Sequence, residues 1–166
     1  IAEENSGKLV SLIRKEARQL AEERGHDLIL TDGPPGIGCP VIAAIGGATA
    51  LIIIAEPTVS GVHDMERVLD LAVHFNIPGM VCINKFDLNP EMTEAIENIA
   101  KKRNVTVLGK IPFDPVFTHA MVAGKTLLEY GDETPTHTVV REIWNKIITS
   151  PSMHSFGIVD LKATIQ

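Results

Sequence analysis

Residues 27–40, DLILTDGPPGIGCP, decide how this chain is read. Leu28, Ile29 and Leu30 form an uninterrupted apolar run of the kind that makes a parallel strand buried on both faces. Asp32 follows at its carboxyl end, and the Gly33-Pro34-Pro35-Gly36 turn forbids continuation, because adjacent prolines remove backbone donors that a ladder needs. The expected unit is a strand, an acid and a glycine-bearing turn. An acid so placed stands at a strand end, where a parallel sheet binds its ligands and a carboxylate can reach a cation through its water shell. The plain alternative is that Asp32 caps a turn.

Upstream, Leu9, Leu12, Ile13, Ala17, Leu20 and Ala21 recur at helical spacing, with Asn5 or Ser6 as the expected cap and Gly25 as the stop. Ser6-Gly7-Lys8 lacks the GxxxxGK[ST] spacing of a phosphate loop: Ala2 stands where the first glycine belongs and Leu9 where the hydroxyl belongs. Lys8 is therefore read as a solvated first-turn residue. Downstream, residues 41–45 are expected to form a short helix and residues 48–55 a second strand, too uniformly hydrophobic to have a wet face. That strand ends in Glu56-Pro57-Thr58. Thr58 or Ser60 can cap the next helix, whose apolar residues Val62, Met65, Leu69, Ala72 and Val73 share one face, and Asn76-Ile77-Pro78 closes it.

Residues 80–83 make a third strand, followed at once by Asn84-Lys85-Phe86-Asp87. Asn89-Pro90 then opens a helix with Met92, Ala95, Ile96, Ile99 and Ala100 inward. A fourth strand, residues 105–111, ends at Pro112-Phe113-Asp114. A short helix over 115–123 and a last helix capped by Thr134, with Pro135 at its first position, complete the pattern. The last helix carries the stripe Val139, Val140, Ile143, Trp144, Ile147 and Ile148. Strands alternating with helices predict an α/β fold, a parallel sheet with helices on both faces. Residues 1–149 are expected to form one domain and residues 150–166 a tail.

Composition narrows the function. The chain has 166 residues, 45% of them apolar, which suits one domain with a substantial core. Its 15 Lys and Arg against 21 Asp and Glu leave a net charge of −6, which argues against broad binding to nucleic acid or to an anionic membrane. Residues 33–55 carry no charge, yet Pro34, Pro35 and Pro40 together with Gly36, Gly38, Gly46 and Gly47 break them up, so no membrane span is expected. With no signal sequence, a cytoplasmic protein is the default, and because position 1 is Ile the chain is expected to begin partway through a longer one. Cys39 and Cys82 show no metal-ligand spacing and are read as small buried side chains. The six histidines are read as exposed polar positions rather than ligands.

Ligands of parallel sheets bind at the carboxyl ends of the strands. Asp32, Glu56, residues 84–87 and Asp114 all fall there. Asn84-Lys85-Phe86-Asp87 fits the NKxD pattern, in which a side-chain amide and a carboxylate hydrogen-bond a purine edge; an Asx-rich turn is the alternative. Pro112, Phe113 and Asp114 can supply a second wall through their backbone groups.

Together these pieces resemble the MinD/Mrp/ParA group of P-loop ATPases, and most closely MinD-superfamily proteins with an inserted ferredoxin module, which often share a name with cobyrinic acid a,c-diamide synthase. The resemblance covers about residues 5–149 and rests on the order of DGPPG, EPT, NKFD and LGKIPFD. It implies ATP and Mg²⁺ as ligands, with Asp32 as the Walker B acid holding Mg²⁺ through water and Gly36 acting within a switch II segment, residues 33–38. It places Asn84 against adenine, with Asp87, Pro112, Phe113 and Asp114 about the same pocket. It further implies ATP hydrolysis by a nucleotide-gated dimer and an iron–sulfur or redox partner. The glycine-rich phosphate loop, the switch I acid and the ferredoxin cysteines of that family have no counterpart in this sequence, so it reads as the carboxyl-terminal portion of such a domain, feeble in hydrolysis by itself. ATP-dependent amidation, a GTPase working through NKFD and a non-catalytic docking domain are the alternatives.

Overall fold

The computed structural model describes residues 2–154, so residues 155–166 of the expected tail lie outside the described residues. In chain order the elements are helix α1 (Ala2–Arg24), α2 (Cys39–Ile45), strand β1 (Leu51–Ala55), α3 (Val59–His74), β2 (Gly79–Asn84), a 3₁₀ turn (Phe86–Leu88), α4 (Pro90–Lys102), β3 (Thr106–Ile111), α5 (Val116–Val122), a second 3₁₀ turn (Leu127–Glu129), α6 (Pro135–Ile148) and α7 (Pro151–His154). Among the described residues no helix is long and apolar enough to cross a membrane. The described residues divide into two compact units, one built from 2–51, 66–78 and 150–154, the other from 52–65 and 79–149.

In the first unit, α1 starts at Ala2, ahead of the caps expected at Asn5 or Ser6. It ends where Gly25 was expected to stop it: Gly25 has φ 66°, and the His26 N–H reaches back to the Ala21 carbonyl at 2.9 Å. The leucine stripe does not face inward. Leu9, Leu12, Ile13 and Leu20 are exposed, whereas Gly7, Val10, Arg14, Ala17 and Ala21 are the more covered face. That face meets α2: a Cβ on Gly7 would lie in ordinary contact with the Cys39 Cβ, at 3.5 Å. Arg14 Nη1 then donates to the Ala43 carbonyl at 3.1 Å and to that of Gly46, serving carbonyls that the end of α2 leaves open. Val41, Ile45 and Ile77 form the core of this unit, with Ala48, Leu51 and Leu71 packed on it.

The expected strand at Leu28, Ile29 and Leu30 is not formed; these residues lie outside any helix or strand, with Ile29 45% and Leu30 73% exposed. An apolar run becomes a strand only through a ladder partner, and among the described residues none pairs with it. Cys39, expected to be buried, is exposed at the start of α2.

The second unit holds a three-stranded sheet in the order β1-β2-β3, with β2 and β3 parallel. Val81, Cys82 and Ile83 are among its most buried residues. β1 is shorter than expected and does have a wet position, since Ile54 is 59% exposed while Ile53 and Ala55 are buried. Ile53 and Ala55 point to one face of the sheet and Ile54 to the other, so the buried positions share a face. A register shift lies opposite Val81 and Cys82, where Val107 and Gly109 are the partners and Leu108 is the extra residue. The Leu108 carbonyl accepts Lys146 Nζ at 2.8 Å.

Both faces of β3 are covered. A Cβ on Gly109 would run into Ile143 of α6, while Lys110 Nζ pairs at 3.0 Å with Glu97 of α4. Successive strand residues point to opposite faces, so α6 and α4 lie on opposite sides, the expected α/β layering. Asn89 caps α4, its Oδ1 accepting the Met92 N–H at 3.1 Å, and Thr58 caps α3 by accepting the Gly61 N–H at 2.9 Å. Thr134 caps α6 together with His137, whose Nδ1 accepts the Thr134 N–H at 3.2 Å. His137 is therefore buried rather than exposed as expected: capping gives its ring a partner that solvent would otherwise supply.

Candidate functional site

The rim of the second unit is laced together strand by strand. β1 runs into Glu56, whose carboxylate meets Lys85 Nζ at 2.7 Å just beyond β2. Lys85 adopts φ 55°, a left-handed residue that turns the chain from the strand into the Phe86–Leu88 turn. Within that turn Asp87 Oδ1 accepts the Phe113 N–H at 2.7 Å, tying the end of β2 to the loop after β3. Asp114 carries the lacing onward: Oδ1 accepts the Val116 N–H at 2.9 Å at the start of α5, and Oδ2 accepts the Thr136 hydroxyl at 2.6 Å at the start of α6.

These contacts set the electrostatics. The Thr136 hydroxyl first, then the Val116 N–H, hold the Asp114 carboxyl below the ordinary carboxylate range, with His137 and His119 adding in the same direction and desolvation opposing them. Asn84 is half-buried at the last position of β2, in register with Ile111, so Pro112 is the next residue beyond its partner. Phe113 is exposed and Pro112 half-buried. Thr93, buried in α4, fixes the turn from below by donating to the Phe86 carbonyl at 2.7 Å. Phe86 sits under the Lys110 ammonium, 5.5 Å from its ring centre. Two open recesses of about 410 and 470 Å³ flank Phe86 and Lys110, one reaching Pro112 and the other Asp87.

Asn84, Asp87, Pro112, Phe113 and Asp114 thus share one rim. Asp32 and Gly36 belong to the first unit, where Asp32 is exposed outside any helix or strand and Gly36 has φ 86°, a conformation that suits glycine in that turn. Among the described residues no three His, Cys, Asp or Glu side chains form a metal-binding group. A single exposed carboxylate such as Asp32 does not make an all-protein cage for a cation. The sequence reading missed Thr136 and the Glu56–Lys85 pair. Thr136 is one step past a proline at a helix start, where a hydroxyl can reach a neighbouring loop, and that placement was the available signal.

Solved structures with this architecture include the MinD cell division protein of Aquifex aeolicus, with a TM-score of 0.66 and 21% identity over 88% of this chain and 60% of that one. The chain has the MinD-type α/β fold. The Mg-ADP complex of the septum site-determining protein MinD from Pyrococcus horikoshii matches it at a TM-score of 0.62 and 19% identity, over 71% of this chain and 49% of that one. By sequence, the chain is 34% identical to an uncharacterized protein of Methanocaldococcus jannaschii over 89% of its own length and 48% of the relative's. It is 29% identical to an uncharacterized ATP-binding protein of the same organism, over 74% and 48% of the two chains. It is also 26% identical to an iron-sulfur cluster carrier protein of Pyrococcus abyssi, over 83% and 52%. The chain spans about half the length of the curated relatives it matches. No protein-family model matches it.

Proposed function

We propose that this chain supplies the base-binding rim and the magnesium-side acid of a MinD-type ATPase, which in the full protein binds ATP, hydrolyses it with Mg²⁺ and acts as a nucleotide-gated homodimer. Residues 1–149 are on this reading the carboxyl-terminal portion of the ATPase domain, and residues 150–166 its tail. The observation that carries it is the Asp87–Phe113 bond, which brings the loop after β3 beside Asn84 on one strand-end rim. Asn84 hydrogen-bonds the adenine edge, with Pro112, Phe113 and Asp114 as the pocket wall. Asp32 orders the waters of Mg²⁺, and Gly36 lets the segment after it change course on loss of the γ-phosphate. The MinD structure with Mg-ADP and the ATP-binding relative support this reading, and the iron-sulfur carrier relative supports an iron–sulfur partner for the full protein.

Titrating the chain with ATP and with GTP, followed by ¹⁵N NMR so that millimolar binding is visible, tests the base assignment. ATP is expected to shift the Asn84 side-chain amide, and Asn84→Ala to abolish that binding; preferred binding of GTP overturns it. Hydrolysis by the chain alone is expected to be feeble, and robust Mg²⁺-dependent turnover lost in Asp32→Ala contradicts that. Cys82 is buried, and desolvation pushes its thiol up to about 11, so that position offers little nucleophilic thiolate for glutamine-dependent amidation.

A further inference from the structure

A peptide segment beside a purine reads it through the backbone groups it leaves open, carbonyls accepting an amino group and N–H groups donating to a ring nitrogen or keto oxygen. In the loop after β3, Pro112 has no N–H at all. The Phe113 N–H lies 2.7 Å from Asp87 Oδ1, a charge-assisted bond about twice as strong as a neutral one. Positions 112 and 113 therefore present carbonyl acceptors and no free donor. Adenine offers its 6-amino group to such a wall. Guanine offers a 6-keto oxygen, which would face a second acceptor.

We infer that Asp87 sets the preference for a 6-amino purine by occupying the Phe113 backbone donor, as a positioning residue and not as a reader of the base. The inference rests on the adenine pocket proposed above. To read guanine, the Asp87 carboxylate would have to take both N–H groups of that base's edge with its two oxygens. Oδ1 is instead engaged with Phe113, and the turn that aims it is held on two sides. The Leu88 N–H meets the Lys85 carbonyl at 3.1 Å, and the Thr93 hydroxyl meets the Phe86 carbonyl at 2.7 Å. The aim of Asp87 is thus a property of the folded rim and precedes any nucleotide.

The test compares the ¹⁵N-labelled chain with Asp87→Asn and Asp87→Ala, each titrated with ATP, GTP and xanthosine triphosphate, and measures Phe113 amide exchange without nucleotide. Asn at position 87 still offers an oxygen to Phe113, so ATP is expected to remain preferred over GTP in that variant. Ala frees the donor: Phe113 exchange is expected to rise and the ATP-over-GTP preference to fall about tenfold, the worth of one such hydrogen bond. A switch of Asp87→Asn to xanthosine triphosphate overturns the inference, because it identifies Asp87 as the reader. So does an unchanged ATP-to-GTP ratio in Asp87→Ala, which leaves the adenine pocket itself standing. Failure of the unmodified chain to bind either ATP or GTP overturns the pocket and the inference with it.

Discussion

Gly109→Ala is the sharpest probe of how α6 is seated on the sheet. A Cβ at this position would lie 2.6 Å from Ile143 Cγ1 and 3.0 Å from Cδ1, both on a side chain that is itself buried. Forcing a methyl group into such a contact costs about 1–3 kcal/mol, while replacing glycine within a strand returns roughly 0.5–1 kcal/mol of chain entropy. The net expectation is a loss of about 1–2 kcal/mol, with α6 displaced from β3. Trp144 is the chain's only tryptophan and lies beside Ile143 on α6, so urea unfolding followed by its fluorescence reports on this helix. Ile143→Ala alone should cost about 2–5 kcal/mol through its cavity, but in the double variant the new methyl group has room. The pair should therefore be less destabilised than the sum of the singles by about 1 kcal/mol or more. A neutral or stabilising Gly109→Ala, or strict additivity with Ile143→Ala, refutes the close approach.

Two further outcomes follow from contacts at the ends of helices. Thr136→Val removes the largest cause of the lowered Asp114 value, so the carboxyl should titrate closer to its ordinary range in a ¹³C NMR titration. Because a depressed folded value stabilises fully above the unfolded value of about 3.9 and is lost as pH falls through the folded one, the variant should also begin acid unfolding at higher pH. Arg14→Ala leaves the Ala43 and Gly46 carbonyls without their donor, and amide exchange in α2 should quicken by about tenfold, while exchange in β2 and β3 stays as it was.

The second unit was legible in the sequence because its signals are local. Asn89-Pro90 and Thr134-Pro135 mark helix starts that the backbone then uses, and the apolar faces of α4 and α6 are the ones that pack. Residues 28–30 misled for the opposite reason: composition states that a segment would pair, and pairing depends on a neighbour that composition does not contain. On α1 the large residues drew the eye, whereas α2 is met by Gly7 and by Arg14, whose guanidinium reaches carbonyls at the end of that helix. At the rim, the residue types were readable from their strand-end positions. The partners were not, because the Asp87–Phe113 and Asp114–Thr136 bonds join positions 26 and 22 residues apart.

The extra residue in β3 acts as a ruler. Met80 pairs with Thr106, so an unbroken parallel ladder would bring Asn84 opposite Lys110; with Leu108 slipped in, it stands opposite Ile111. The loop carrying Pro112 and Phe113 is thereby drawn back one residue, about 3.3 Å, relative to the asparagine. Homologous strands that differ by a single insertion here would share their motifs letter for letter and still hold them at different spacings, so the length of this strand sets the spacing of the rim as much as the letters do.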